Sequence, residues 1–462
     1  MAAFGKKKKA SEFPDVIPVS EAIRKGDIFT KLTCLIMGAG NLARKQIIQG
    51  LLFLAGELGY ILYMVLYGAK ALQDFVTLGT ETQKKVFNEA TQVYEYATGD
   101  NSQLCLLYGV VTIFVTIGFI LLWRGAIRSS YIAQKAQEAG KKPITFGQIL
   151  KDLKDNRMYQ LFLFFPFLGI ILFTVMPLIF MMLMAFTNYD RDHLPPGQLF
   201  DWVGFQNFAR VLNAGGALGE TFWKVLGWTV IWAIFATFLN YIFGIILAII
   251  INRDGTKFKA FWRFIFVLTI AVPQFVSLLV VNTMIQEHGV INLLLKELFG
   301  VGPLPFLTNV TWARVTVIVI NLWVGIPYTL LAVTGILKNI PAELYEAAKV
   351  DGANAFVTFF KITMPYMMFV MTPNLITTFT GNINNFNVIY LLTNGAPACD
   401  TYYRGTAGKT DLLVTWLYKL TVNSRDYSYA ATIGILVFII CSLLSLITFR
   451  RSASYKNEEA FQ

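Results

Sequence analysis

Residues 345–365 of this chain read YEAAKVDGANAFVTFFKITMP. The stretch is polar and charged, yet long apolar runs at 315–337 and 366–392 flank it. Its residues spell a helix, a turn and a second helix. Pro341 suits a first helical turn, and Glu343 and Glu346 are expected in that turn, where a carboxylate meets the positive end of the helix. Ala347 and Ala348 favour helix without adding bulk. Gly352 permits a backbone turn that a Cβ would strain. Phe356, Phe359 and Phe360 then form an apolar stripe at helical spacing. The predicted unit is a hairpin of two short helices on one side of a membrane. It offers a partner an apolar face and an acidic group.

The rest of the chain supports a membrane setting. Of 462 residues, 55% are hydrophobic and only 15% charged, too apolar for a soluble domain of this length. The net charge of +11 needs no nucleic acid, because Lys and Arg collect on the cytoplasmic loops of membrane proteins. Cys34, Cys105, Cys399 and Cys441 are scattered, with no paired spacing that would hold a metal or a disulfide framework. His193 and His288 are far apart and read as loop residues.

In chain order, residues 1–49 read as a cytoplasmic tail. It carries the lysine run 6–9 and an apolar stretch, 32–43, that is too short to span and more suited to the interface or to re-entry. Residues 50–123 hold two candidate spans, 51–67 and 104–123, joined by a polar connector expected to be helical in part. Residues 124–160 are a basic linker, in which eight Lys and Arg outnumber three acids, and this bias places it in the cytoplasm. Residues 161–462 hold six stronger spans: 161–186, 225–251, 264–285, 315–337, 366–392 and 429–449. The predicted fold class is therefore an all-α polytopic membrane protein with about eight transmembrane helices. Starting inside, eight crossings leave the basic linker, the 341–365 loop and both termini in the cytoplasm.

The six later spans contain no Asp, Glu, Lys, Arg or His. Proton- or voltage-coupled carriers rely on such groups within the membrane, so energy is expected from outside the chain. No acid–base or metal constellation supports a membrane enzyme. The spans carry uncharged polar and aromatic residues instead: Gln274 and Ser277 beside Pro273; Asn321, Gly325 and Tyr328; and four asparagines between Asn382 and Asn387, Asn385 among them. Amides and aromatic rings suit a neutral sugar. They equally suit hydrogen bonding between helices. Residues 405–410 contain Gly408-Lys409-Thr410, but a phosphate-binding loop needs glycine where Tyr403 stands, and the segment reads as a flexible outer loop.

Glu346-Ala347-Ala348, Asp351-Gly352-Ala353, Ile362 and Pro365 together match the long, fixed-spacing signature of membrane subunits of ATP-driven (ABC) importers. The region from about residue 161 onward resembles the larger, MalF-type permease of maltose/maltodextrin importers. Residues 203–208 (Val-Gly-Phe-Gln-Asn-Phe) and the outer loop around Gly395 and Asp411 add to the likeness. The resemblance implies a type I importer core of six helices in a bacterial inner (plasma) membrane. It implies that Glu346, Ala347, Ala348, Asp351, Gly352, Ala353 and Pro365 couple to a separate ATPase dimer. That dimer would bind the ATP and magnesium, with no cofactor in this chain. It further implies a second homologous permease, an extracytoplasmic sugar-binding protein and a sugar site halfway across the membrane, at Gly325, Tyr328, Asn382 and Asn385. Better-studied members carry a serine where Gln274 stands and an aromatic residue where Thr329 stands. Residues 188–224 are too short for the large outer domain some members insert there. An importer of another oligosaccharide, such as galacto-oligosaccharides, fits the same pattern.

Overall fold

The computed structural model describes residues 17–89, 92–253 and 255–452; the lysine run 6–9 lies outside them. Among the described residues, seven helices are long and apolar enough to cross a membrane, or eight if one sharply bent pair counts as a span. The expected count of about eight therefore stands. The chain divides into two compact units.

The first unit comprises residues 1–183 and 192–202. Its long helices are α1 (Ile47–Thr77), α2 (Ser102–Glu138) and α3 (Met158–Met184). Helices α1 and α2 meet through stacked Tyr60 and Phe119 rings, 3.9 Å apart, and through Tyr60–Thr116 and Tyr63–Thr112 hydroxyl contacts of 3.1 and 2.8 Å. The connector after α1 is helical in part, as its sequence reading expected, but it also holds strands. Helix continues to Thr77, and two short antiparallel strands, β1 (Lys85–Asn88) and β2 (Val93–Tyr96), then form a hairpin with Lys85 opposite Tyr96. The alternating Val86, Tyr94 and Tyr96 carried that strand signal, which the polar surroundings hide. Helix α2 is capped by the Asn101 carboxamide and runs unbroken through Arg124 and Arg128.

The second unit comprises residues 184–191 and 203–462. It is organised on α4 (Ala217–Asn252), which supplies many of the buried side chains, Trp232 among them. Helices α5 (Lys259–Ala271) and α6 (Gln274–Met284) follow, bent by 88° at their junction. The sequence reading drew one span over 264–285. The pair covers that range but not as one straight helix: Val272 before Pro273 is extended, with ψ 127°, and the helix breaks there. Helix α7 (Val310–Asn339) lies parallel to α4, with Arg314 over the Trp228 ring at one end and Asn252 bonded to Thr334 at the other. Beyond α8 (Ala342–Val350) the chain enters α9 (Met364–Ile383) and α10 (Phe386–Leu392), and it closes with α11 (Tyr427–Arg451). The expected straight span 366–392 is thus broken at Asn384 and Asn385, inside the asparagine cluster.

Candidate functional site

The predicted hairpin at 341–365 is built as its residues require, with two corrections. Pro341 is the residue before the first turn of α8, and only Glu343 falls in that turn; Glu346 lies one turn further on. The second arm is not a separate short helix either. It starts at Ala355 and runs through a wider turn at Phe359–Thr363 directly into α9. Between the arms, Gly352 has φ +72°. Its N–H reaches the Lys349 carbonyl at 3.1 Å and the Ala353 N–H reaches that of Ala348 at 2.9 Å. This left-handed C-terminal cap closes a helix at glycine. Asn354 caps the second arm by accepting from Val357 N–H at 2.8 Å. The Tyr345 and Thr363 hydroxyls, 3.1 Å apart, tie the arms together. Ala348 is buried against the turn, while Glu346, Ala347 and Asp351 face outward. Val350 and Phe356 are 88% and 71% exposed, an apolar surface beside an acidic group.

The polar residues of the spans fall into three groups within the second unit. Gln274 and Ser277 on α6 and Tyr328 on α7 line one small recess of about 20 Å³, with Thr269, Val272, Trp323 and Val324 completing its wall. The 88° bend opens this recess, because turning the chain at Pro273 aims the first residues of α6 at α7. Thr269 and Trp323 were missed in the sequence, where neither stands out from its apolar neighbours.

The second group lies on the α4–α7 seam. A Cβ on Gly325 would sit 2.2 Å from the Asn240 side chain, so the glycine makes room for that amide. Asn240 Nδ2 donates to the Ala236 carbonyl at 2.7 Å. Its Oδ1, and Asn321 Nδ2 one helical turn before Gly325, are buried without a hydrogen-bond partner. Such orphaned amides are costly in an apolar seam. Thr329 faces Gly244, whose Cβ would come within 2.5 Å of it, so an aromatic side chain has no room there.

The third group is engaged in holding the fold. Asn382 Nδ2 donates to Thr237 Oγ1 at 2.9 Å, and the Asn382 carbonyl accepts from Trp232 Nε1 at 3.0 Å. Asn385 Oδ1 accepts from Val388 N–H at 3.3 Å and so caps α10. Helix α4 is common to the second and third groups, through Thr237 and Asn240.

The segment at 405–410, expected to be a flexible loop, is tied instead. Asp411, fully buried, accepts from Gly408 N–H at 2.6 Å and Thr415 Oγ1 at 2.8 Å, and pairs with Lys419 Nζ at 2.7 Å. Lys409 lies over the Tyr402 ring at 4.2 Å. In the 203–208 segment, Asn207, buried on the short helix Gln206–Leu212, donates to the carbonyls of Ala185 and Thr187 at 2.9 and 2.7 Å. Among the described residues no group of His, Cys, Asp and Glu is arranged to hold a metal ion.

Residues 240–453 match the family described as binding-protein-dependent transport system inner membrane component. The galactooligosaccharides transport system permease protein GanP of Bacillus subtilis (strain 168) is 36% identical over 441 residues, covering 92% of this chain and 98% of that protein. The maltodextrin transport system permease protein MdxF of the same strain is 36% identical over 439 residues, covering 93% and 96%. The maltose/maltodextrin permease MalF of Escherichia coli (strain K12) is 37% identical over 268 residues, 57% of this chain and 51% of that protein. A chain of a bacterial alginate ABC transporter, crystallised with an alginate pentasaccharide-bound periplasmic protein, shares the fold at a TM-score of 0.54 and 22% identity, over 66% of this chain and 97% of that one. This chain belongs to the binding-protein-dependent transport system inner membrane components: it is a multi-pass permease subunit of a transport system and not an enzyme.

Proposed function

We propose that this chain is the sugar-conducting permease of an ATP-driven importer for maltose and maltodextrins. It pairs with a homologous second permease, two copies of an ATPase that bind ATP and magnesium, and an extracytoplasmic sugar-binding protein. The observation that carries the reading is end-to-end similarity to a maltodextrin permease, at 36% identity over 93% of this chain. Galacto-oligosaccharide import is the second reading, favoured by the equal identity to GanP.

The work is divided between two places. At 341–365 the exposed Val350 and Phe356, with Glu346 beside them, fit a cleft of the ATPase. Closure of the ATPase dimer then moves α8, and the continuous path from Ala355 into α9 carries that motion into the membrane. At the recess between α6 and α7, the Gln274 amide, the Ser277 hydroxyl and the Tyr328 ring offer a neutral sugar hydrogen bonds and an apolar face. The bend at Pro273 gives α5 and α6 a hinge for alternating access. The Asn321 and Asn240 amides on the seam are further sugar-contacting candidates; Gly325, Asn382 and Asn385 position what surrounds them. Termini, basic linker and coupling hairpin share the cytoplasmic side.

The test is uptake of labelled maltotriose and of galactotriose by cells carrying the whole importer, beside binding of each sugar to the isolated binding protein. Saturable maltotriose uptake, lowered by Tyr328→Ala and Gln274→Ala at unchanged membrane levels of permease, supports the reading. Uptake of galactotriose alone replaces it with the second.

A further inference from the structure

Residues 28–46 are built with the polar side chains inside and the apolar ones outside. Thr30, Thr33, Asn41 and Arg44 are buried, while Ile28 and Leu35 are 81% and 78% exposed, and Phe29, Ile36, Ile47 and Ile48 are exposed with them. The inward residues bind the inner end of α2. Thr30 Oγ1 donates to Gln134 at 3.0 Å, Arg44 donates to Ser130 Oγ at 3.0 Å, and Asn41 donates to Ser129 Oγ at 2.8 Å. Arg44 also pairs with Asp27 at 2.6 Å.

The same contacts measure how the segment travels. It starts level with Gln134, climbs to where Trp123 Nε1 donates to the Cys34 carbonyl at 3.0 Å, and returns to Ser130 by Arg44. Gln134 to Trp123 is eleven residues of helix α2, a rise of about 16 Å. At the top, the Met37 N–H donates to the Glu57 carboxylate of α1 at 2.7 Å. A turn of open backbone survives beside lipid only if its polar groups are satisfied by protein. Glu57 and Trp123 satisfy two of them.

We propose that residues 28–46 form a shallow re-entrant collar whose outer face lies in the acyl chains of the cytoplasmic leaflet, its exposed Lys31 and Lys45 reaching anionic lipid headgroups. Two observations select lipid as the occupant. The apolar face is continuous with Ile47 and Ile48, which open the membrane helix α1. Its flanks are basic, with Arg24, Lys25, Lys31 and Lys45 all exposed, and anionic leaflets attract such segments.

The test uses the assembled importer in nanodiscs, with native cysteines replaced and one nitroxide placed at Leu35 or at Lys25. Leu35 should be relaxed strongly by oxygen, which partitions into lipid, and weakly by a water-soluble nickel chelate; Lys25 should show the reverse. In a parallel series, ATP turnover should rise at least twofold when 30% phosphatidylglycerol replaces phosphatidylcholine, and Lys31→Glu with Lys45→Glu should abolish that rise while leaving turnover in phosphatidylcholine unchanged. Stronger relaxation of Leu35 by the chelate means that water covers this face. Shielding of Leu35 from both reagents means that protein covers it. Either outcome overturns the proposal, as does a lipid response that survives both charge reversals.

Discussion

Single residues divide into those whose chemistry announced them and those that only packing reveals. Gly352 was legible because a glycine after a run of helix formers has few other uses; its φ of +72° is the reason. Gly325 was legible as a position but not as a cause, since the amide it accommodates, Asn240, lies 85 residues away in the chain, 325 less 240. Asp411 was noticed only as part of a family phrase. Its buried carboxylate collects two hydrogen bonds and an ion pair. Asp411→Ala leaves Lys419 half-stranded and should destabilise the loop by about 3 kcal/mol. The expected result is faster tryptic cleavage of the outer loop in membrane vesicles, and cleavage no faster than wild type would refute it. Glu57 gives a finer contrast. Glu57→Gln keeps an acceptor for the Met37 N–H and should transport normally, whereas Glu57→Leu removes it and should lower permease levels in the membrane; equal levels would show that the contact contributes nothing.

Helices were the easiest elements to read and their interruptions the hardest. Apolar length located the spans, but Pro273 sat inside an apolar run and drew no break, although proline and its extended neighbour produce an 88° turn. The asparagine cluster likewise read as a ligand surface. Two of its members hold the fold at the α9–α10 break, so Asn382→Ala should reduce assembled permease before it alters sugar preference. Measuring permease abundance and uptake in the same membranes separates the effects. The α8 hairpin carries its own contrast. Gly352→Asn tolerates the left-handed backbone and should retain much of the stimulated ATP hydrolysis, while Gly352→Val strains it and should lose most. Glu346→Lys reverses an exposed acidic group of the hairpin, and losing one partner of a charged contact at an interface typically costs a few kcal/mol. Co-purification of the ATPase with each variant, alongside turnover in proteoliposomes, reads both effects. Full attachment and full turnover in Gly352→Val and Glu346→Lys would show that this hairpin is not the joint.

At the scale of the whole chain, the number of helices follows from hydropathy, but their sidedness follows from charge alone. The eight-crossing reading puts Lys142 and Lys349 on one side and the outer loop on the other. Both lysines are exposed, so a cysteine at either is reachable from its own side. Gly408 would be the wrong reporter for the outer side, because a Cβ there would stand 1.9 Å from the Gly395 carbonyl oxygen and the loop would have to open. Asp400, exposed in the same loop, avoids this. Cys105, Cys399 and Cys441 are buried and Cys34 partly so, which makes a cysteine-free background the first step. In intact cells an impermeant maleimide should label Asp400→Cys and spare Lys142→Cys and Lys349→Cys; after permeabilisation all three should label. Labelling of Lys349→Cys from outside would invert the chain, put the coupling hairpin where no ATPase could reach it, and remove the basis for reading energy transfer through α8.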